Sequence, residues 1–302
     1  MAKSPIGEEI ILETPLGQLA GLCWKNEGAA PVLCVHGWLD NAASFLPLAE
    51  ELSDLDIVAL DLPGHGLSEH RHHTARYHFI DYLWDVDAAL SALAWESCHL
   101  IGHSMGGGVS ALYSAASPAH VRSVVVLDGL GPMSNTAADT AMRLRKSMAE
   151  MRRERNPLRP YDSIEEMVSA RRKVSDLSAD AARLLCERSA RHVGKHFYWR
   201  TDPALNWVSP IILTEEQVLD CLRNIEAPLL SWVATPFASW YSQDKVRACQ
   251  AAIQHGRHET IGGHHHFHMD APEKIAETIR SFILENDQTP SQRENHDQPD
   301  QP

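Results

Sequence analysis

Residues 102–106 have the types and spacing of a serine nucleophile held on a sharp turn. They read Gly-His-Ser-Met-Gly, a G-x-S-x-G pattern, and lie between an apolar segment typical of a strand and a run of small residues typical of a helix. A serine hydroxyl is a poor nucleophile, so it needs an exposed position and an adjacent base. The pattern therefore predicts Ser104 as the nucleophile of an acyl-transfer reaction.

A histidine-rich segment near the other end of the chain could supply the base. His264, His265, His266 and His268 follow a short segment with strand character that ends at Ile261. A histidine can take the proton of the serine and return it to the leaving group. Four clustered histidines are also a possible metal-ligand set. We favour the base, because a metal-dependent hydrolase would leave the serine turn without a purpose.

The acid that orients the histidine should be a carboxylate held at the end of a strand. Asp128 ends an apolar, β-branched segment and is the preferred candidate. The more usual position follows the next strand, where residues 234–239 contain no carboxylate and the first one is Asp244. Asp244 is the alternative acid, and capping of a helix or turn is the alternative role of Asp128.

Backbone donors for an oxyanion are expected at two positions. One is the N–H of Met105, directly after the serine, and the other is the N–H of Trp38, which follows the strand ending at His36 and Gly37. A plainer interpretation is that His36 and Gly37 only turn the chain while Trp38 packs in the core. The two interpretations are compatible, because the donor belongs to the backbone.

The elements that must position these residues predict an α/β fold with a mostly parallel sheet. Short apolar segments alternate with helical patterns in the first half of the chain, and the alternation resumes after residue 226. The predicted strands are Glu9–Glu13, Leu19–Trp24, Val32–His36, Ile57–Asp61, Cys98–His103, Val124–Asp128, Leu229–Thr235 and Arg257–Ile261. The predicted core helices are Ala43–Leu52, Phe79–Trp95, Met105–Ala116, Asp244–Ile253 and Pro272–Leu284.

Residues 133–226 interrupt this alternation and predict an inserted helical cap. Arg-, Ala- and Glu-rich helical patterns replace the strands, at Thr140–Arg155, Ile164–Val174 and Ala179–Val193. The predicted organisation is a core of residues 1–132 and 227–285, the cap between them, and a disordered tail of residues 286–302. Arginines of the insertion such as Arg171 could recognise an anionic substrate, but exposed helix faces are the favoured expectation.

Composition and net charge indicate which binding partners and which cellular location are expected. A net charge of −13 over 302 residues disfavours nucleic acid and anionic membranes as partners. No signal peptide and no run of 18 apolar residues is present, so we expect no membrane span. The six cysteines are scattered, which favours reduced thiols in the cytoplasm. We expect a small-molecule acyl substrate and neither a cofactor nor a metal; oligomeric state is left open.

Three segments together resemble the kraken or serine hydrolase-like branch of the α/β hydrolases. They are His36–Asn41, Asp61–Ser68 and Gly102–Gly107, and Tyr77–Tyr82 is also similar. The resemblance implies an eight-stranded, mostly parallel sheet with helices on both faces and a helical cap after the sixth strand. It also implies a cofactor-independent hydrolase, and a structural loop at Asp61–Ser68 in which the histidine is not catalytic.

The same resemblance selects the base and the acid from among the candidate residues. In that family the base lies seven positions before the proline of a closing D-x-P-E segment, which is Asp270–Glu273 here and selects His265. Relatives with the acid after the sixth strand place it 24 positions beyond the nucleophile, which matches Asp128. We expect hydrolysis of a carboxylic ester. A thioesterase, an amidase, a carbon–carbon bond hydrolase and a low-turnover ligand-binding protein are the alternatives.

Overall fold

A computed structural model describes residues 7–152, 158–237 and 242–287. Its centre is an eight-stranded sheet in the order β1-β2-β4-β3-β5-β6-β9-β10. Strands β1 and β2 pair antiparallel, β2 pairs antiparallel with β4, and the other neighbours are parallel. The strands are β1 Glu8–Thr14, β2 Gly17–Trp24, β3 Pro31–Val35, β4 Asp56–Leu60, β5 Cys98–His103, β6 Val121–Leu127, β7 Ala190–Val193, β8 His196–Trp199, β9 Leu229–Thr235 and β10 Gly256–Gly262.

The sheet is buried on both faces because alternate residues of its central strands enter different apolar clusters. In β3, Val32 and Cys34 belong to one cluster, whereas Leu33 and Val35 belong to the other. This explains why β3 reads as a continuous apolar segment. The predicted α/β class with helices on both faces is confirmed.

Helices cover both faces. Residues of α2, α3, α7 and α8 enter one apolar cluster with the sheet, and residues of α1, α9 and α10 enter the other. The helices are α1 Leu46–Glu51, α2 Asp81–Leu93, α3 Met105–Ala116, α4 Thr140–Met151, α5 Ile164–Arg172, α6 Ala179–Ser189, α7 Glu215–Arg223, α8 Gln243–Ala252, α9 Phe267–Asp270 and α10 Glu273–Glu285. The predicted first helix is split, with a 3₁₀ turn at Ala42–Phe45 before α1.

Between β6 and β9, the described part of the chain forms α4 to α7 and one hairpin. Strands β7 and β8 of this hairpin pair antiparallel, so the predicted helix Ala179–Val193 is wrong over its last four residues. Gly194 has φ +62 and turns the chain there, and the aromatic residues of β8 favour a strand. Residues of the insertion such as Met167 and Leu185 form a third apolar cluster, which also includes Met269 of α9. The end of the predicted helix Thr140–Arg155 lies outside the described residues.

Helix α10 ends at Glu285, close to its predicted end. Asp287 still contacts the sheet, because Nη1 of Arg122 lies 2.6 Å from its Oδ1. Most of the predicted disordered tail, from residue 288 onward, lies outside the described residues. Within the three described ranges, no helix is both long and apolar enough to cross a membrane.

Candidate active site

Ser104 lies on the turn between β5 and α3, with φ 52 and ψ −118. Such a backbone conformation is rare for a residue other than glycine, and it persists only where its surroundings hold it. The N–H of Ser104 donates to the carbonyl of Leu127 at 2.9 Å, and the N–H of Gly107 donates to the carbonyl of Ser104 at 3.0 Å. The turn is therefore fixed from both sides, with Ser104 half-buried at its apex.

Two glycines let other segments approach this turn. A Cβ on Gly106 would lie 2.0 Å from the carbonyl oxygen of Val35, and a Cβ on Gly129 would lie 2.1 Å from that of Ser104. These distances are far below van der Waals contact, so any side chain would push the segments apart. The small residues around Ser104 are explained by close backbone approach.

The two predicted oxyanion donors lie at the start of α3 and in the loop after β3. Met105 begins α3, so its N–H has no partner within the helix. No residue described by the structure accepts a hydrogen bond from the N–H of Trp38. A Cβ on Gly37 would lie 3.1 Å from Cβ of Ser104, so the loop of Trp38 adjoins the serine. Trp38 is 39% exposed, so the alternative of a core tryptophan is wrong.

His65 forms a hydrogen bond to the loop that contains Trp38. Its Nε2 accepts the N–H of Leu39 at 3.2 Å, so its Nδ1 carries the proton and faces the carbonyl of Pro63 at 3.2 Å. Leu39 has φ 60, a strained value that this hydrogen bond helps to maintain. Burial lowers the pKa of His65 to about 3, so the ring stays neutral. This matches a structural loop at Asp61–Ser68.

His265 and Asp128 form a short hydrogen-bonded pair. Nδ1 of His265 lies 2.6 Å from Oδ2 of Asp128, and Oδ1 of Asp128 accepts the N–H of Ala234 at 2.9 Å. The carboxylate is 2% exposed and the imidazole is 18% exposed. Because Nδ1 donates to the carboxylate, Nε2 of a neutral His265 carries the lone pair and can accept a proton.

A further hydrogen bond ties this histidine loop to the serine turn. Nε2 of His103 lies 3.0 Å from the carbonyl oxygen of His265, and the two rings are 4.6 Å apart. His103 directly precedes Ser104, so the structure brings the predicted nucleophile, base and acid to the same edge of the sheet. The alternative acid, Asp244, lies exposed in the first turn of α8.

The four clustered histidines do not form a joint ligand set. Each faces a different partner: Asp176 for His264, Asp128 for His265, Asp40 for His266 and Ser44 for His268. Asp40, His103 and His266 instead bring one donor atom each within 4.8 Å of one another. No local sequence pattern groups these three residues, because they come from two separate loops and from the end of β5.

Arg171, which was expected on an exposed helix face, is buried instead. It is 8% exposed, and its Nη2 lies 2.5 Å from Oδ1 of Asp40 in the loop after β3. Burial alone would raise the pKa of Asp40, but the neighbouring His266 and Arg171 hold it well below its usual range. A buried guanidinium is tolerated here because a carboxylate pairs with it. Among the described arginines of the insertion, Arg143 and Arg172 bond main-chain carbonyls instead.

A cavity of about 360 Å³ opens beside His265. The insertion contributes residues 174–176 to its wall, and the loops after β9 and β10 contribute most of the rest. Its lining is Asp128, Val174, Ser175, Asp176, Ala234, Pro236, Phe237, Gly263, His264, His265 and His266. The cavity therefore has both apolar and polar walls and reaches the Asp128–His265 pair.

An eight-stranded sheet with a serine on a strained strand-to-helix turn defines the class of α/β hydrolases. The family described as "alpha/beta hydrolase fold" matches residues 30–161. A serine hydrolase-like protein of Danio rerio is 34% identical over 305 residues, which cover 95% of this chain and 92% of that protein. The chain belongs to this serine hydrolase-like family, and it is a hydrolase by family and fold.

Solved structures agree with this assignment. A hypothetical protein from Pseudomonas aeruginosa PAO1 superposes with a TM-score of 0.86 and 34% identity, over 92% of this chain and 99% of that one. The thioesterase domain from the curacin biosynthetic pathway superposes with a TM-score of 0.75, over 92% of this chain and 98% of that one. Its identity is 21%, so this second likeness shows the fold alone.

Proposed function

We propose that this protein hydrolyses small to medium carboxylic esters through an acyl-enzyme intermediate. Ser104 is the nucleophile, His265 the general base and Asp128 the acid. The observation that carries the proposal is the 2.6 Å hydrogen bond from His265 to Asp128, at the sheet edge where the strained turn presents Ser104. This arrangement leaves Nε2 of His265 as the proton acceptor that the serine needs.

In the first half of the reaction, Oγ of Ser104 attacks the acyl carbon and its proton passes to Nε2 of His265. Asp128 stabilises the imidazolium that forms. The N–H groups of Trp38 and Met105 hold the negative oxygen of the tetrahedral intermediate, and each such donor contributes about 3 kcal/mol in comparable enzymes. The carbon–oxygen bond to the alcohol then breaks, and His265 protonates the departing alkoxide.

In the second half, water attacks the acyl-serine and gives its proton to His265. Collapse of this intermediate breaks the bond to Ser104, which recovers the proton as the carboxylic acid leaves. Every proton moves between His265 and the reacting oxygens, so the cycle needs no cofactor.

The cavity beside His265 supports the proposed substrate size. A volume of about 360 Å³ lies near the lower end of small-molecule sites. Val174 and Phe237 give the wall apolar area for an acyl chain, whereas Asp176 and His264 add polar groups at the exposed side. We therefore expect short acyl chains to be preferred over long ones. We predict that the protein acts in the cytoplasm and that nucleic acid is not its partner.

A substrate panel tests the proposal. Purified protein is given p-nitrophenyl esters of increasing acyl length, matched thioesters and anilides, with Ser104→Ala as the control. We expect fastest turnover of short-chain esters and a loss of about 10⁵-fold or more in kcat in the variant. Faster thioester or anilide turnover would contradict the ester assignment. No Ser104-dependent turnover of any substrate would favour a ligand-binding protein.

A further inference from the structure

Three buried side chains converge beneath the serine turn. Oδ2 of Asp40 lies 3.4 Å from Nδ1 of His103 and 3.1 Å from Nε2 of His266. All three donor atoms lie within 4.8 Å of one another, and the side chains are 1%, 0% and 5% exposed. Asp40 comes from the loop after β3, His103 from the end of β5, and His266 from the loop after β10.

The hydrogen bonds of His103 indicate which of its ring nitrogens carries the proton. Its Nε2 faces the carbonyl oxygen of His265 at 3.0 Å, and a carbonyl only accepts, so Nε2 carries the proton. Nδ1 of the neutral ring is then a lone pair that faces the Asp40 carboxylate. Within the described ranges, Nδ1 of His103 has no hydrogen-bond partner.

Two acceptors that face each other in a dry interior repel, and a positive charge between them removes the repulsion. A second proton on His103 is one solution. Burial opposes it, because the side chain of His103 is 0% exposed and a charged ring there would lose its hydration. A bound cation is the other solution.

We propose that Asp40, His103 and His266 bind one divalent transition-metal ion of the Zn²⁺ type. Two imidazole nitrogens and one carboxylate oxygen are a common donor set for Zn²⁺. With metal–ligand bonds of about 2.0–2.1 Å, tetrahedral geometry separates neighbouring ligand atoms by about 3.3 Å. The separations of 3.4 and 3.1 Å from Asp40 fit this value.

The hydrogen bonds around Asp40 and His103 suit metal ligands. Arg171 bonds Oδ1 of Asp40 and leaves Oδ2 to face the two imidazoles. His103 donates its other ring N–H to a main-chain carbonyl, as ligating histidines commonly do. His266 also lines the cavity beside His265, which gives an ion a route from solvent. The proposed ester hydrolysis assigns no step to this ion.

Zn²⁺ binding to chelator-treated full-length protein tests this proposal without any activity measurement. Competition with a chromophoric chelator should give one Zn²⁺ per chain. His103→Gln and His266→Gln should each weaken binding by at least about tenfold. The matched control is His264→Gln, which changes an exposed histidine of the same segment that faces Asp176 instead and should leave binding unchanged.

A spectroscopic measurement on the wild type covers the case in which a variant fails to fold. X-ray absorption of the Zn²⁺-loaded protein should show two imidazole ligands and oxygen in the remaining coordination. The proposal fails if the wild type binds no Zn²⁺ in competition, if His264→Gln abolishes binding, or if fewer than two imidazoles are found. A proton, rather than a metal, would then hold His103 and Asp40 together.

Discussion

Asp128 and Ser104 share an unusual backbone property, because both adopt a φ of 52 although neither is glycine. Each residue directly follows a strand at the same edge of the sheet. Hydrogen bonds to neighbouring strands maintain its strained backbone conformation. Sequence reasoning could find both, because G-x-S-x-G and a carboxylate after a β-branched segment are local patterns. It could not find the contact of Arg171 with Asp40, which joins residues 131 positions apart.

At the residue scale, Asp128→Asn should lower kcat for ester hydrolysis by about 10⁴-fold while the protein stays folded. The asparagine amide can donate to Nδ1 of His265 and would favour the wrong tautomer, with the proton on Nε2. Steady-state kinetics on a short p-nitrophenyl ester measures this effect. Asp244→Asn is the matched control and should stay within about twofold of wild type; an equal loss in both variants would reject Asp128 as the acid.

At the scale of elements, the strands were predictable because buried parallel strands read as continuous apolar segments. Strand β6 begins at Val121 rather than Val124, since Val121 still pairs with Cys98. The hairpin β7–β8 was missed because each strand has only four residues, too few for alternation to outweigh the helical pattern before it. Pairing between β7 and β8, rather than local helix propensity, determines the secondary structure of this region.

Gly106→Ala should destabilise the junction between α3 and β3. The added methyl would lie 2.0 Å from the carbonyl oxygen of Val35, and relief requires the helix to shift. We expect a loss of at least about 2 kcal/mol in the free energy of unfolding, measured by urea denaturation. Gly262→Ala is the matched control, because a Cβ there meets nothing within 4 Å. Equal stability of the two variants would contradict the close approach.

Arg171→Met should destabilise the packing of the insertion on the core. The change leaves the buried carboxylate of Asp40 without its guanidinium, which costs about 3–5 kcal/mol in comparable pairs. Urea denaturation measures the loss, and the exposed neighbour Lys173→Met serves as control. In the double variant with Asp40→Asn, the loss should be smaller than the sum of the single losses. Additive losses in the free energy of unfolding would show that the Arg171–Asp40 pair does not couple the insertion to the core.

At the scale of the whole molecule, the class of fold was predictable but the internal polar network was not. Alternating patterns define two faces of a sheet, whereas burial of a histidine depends on partners from distant loops. His36 illustrates this, because its Nε2 accepts the N–H of Leu62 and its Nδ1 contacts the carbonyl of Gly37. Desolvation lowers the pKa of His36 to about 4.

Buried neutral histidines make the stability of the whole fold depend on pH. The folded-state pKa values of His36 and His65, about 4 and about 3, lie below the ordinary value of 6.5. The unfolded chain therefore binds more protons below pH 6.5, and acid favours unfolding. Each ring should cost roughly 2 kcal/mol of stability between pH 6.5 and 5.

Urea denaturation at several pH values measures this dependence. His65→Gln should show a shallower fall in stability below pH 6.5 than wild type, whatever its stability at neutral pH. His264→Gln, which changes an exposed histidine, should keep the wild-type slope. An unchanged slope in His65→Gln would mean that this ring is protonated in the folded protein.

Covalent labelling tests the central claim, that Ser104 is an activated nucleophile, most directly. The protein is treated with a fluorophosphonate probe, and the modified peptide is identified by mass spectrometry. We predict one probe per chain on Ser104, no labelling of Ser104→Ala, and slow labelling of His265→Ala. Asp244→Asn should react at the wild-type rate. Absence of labelling in the wild type, or equal labelling of Ser104→Ala, would contradict the account.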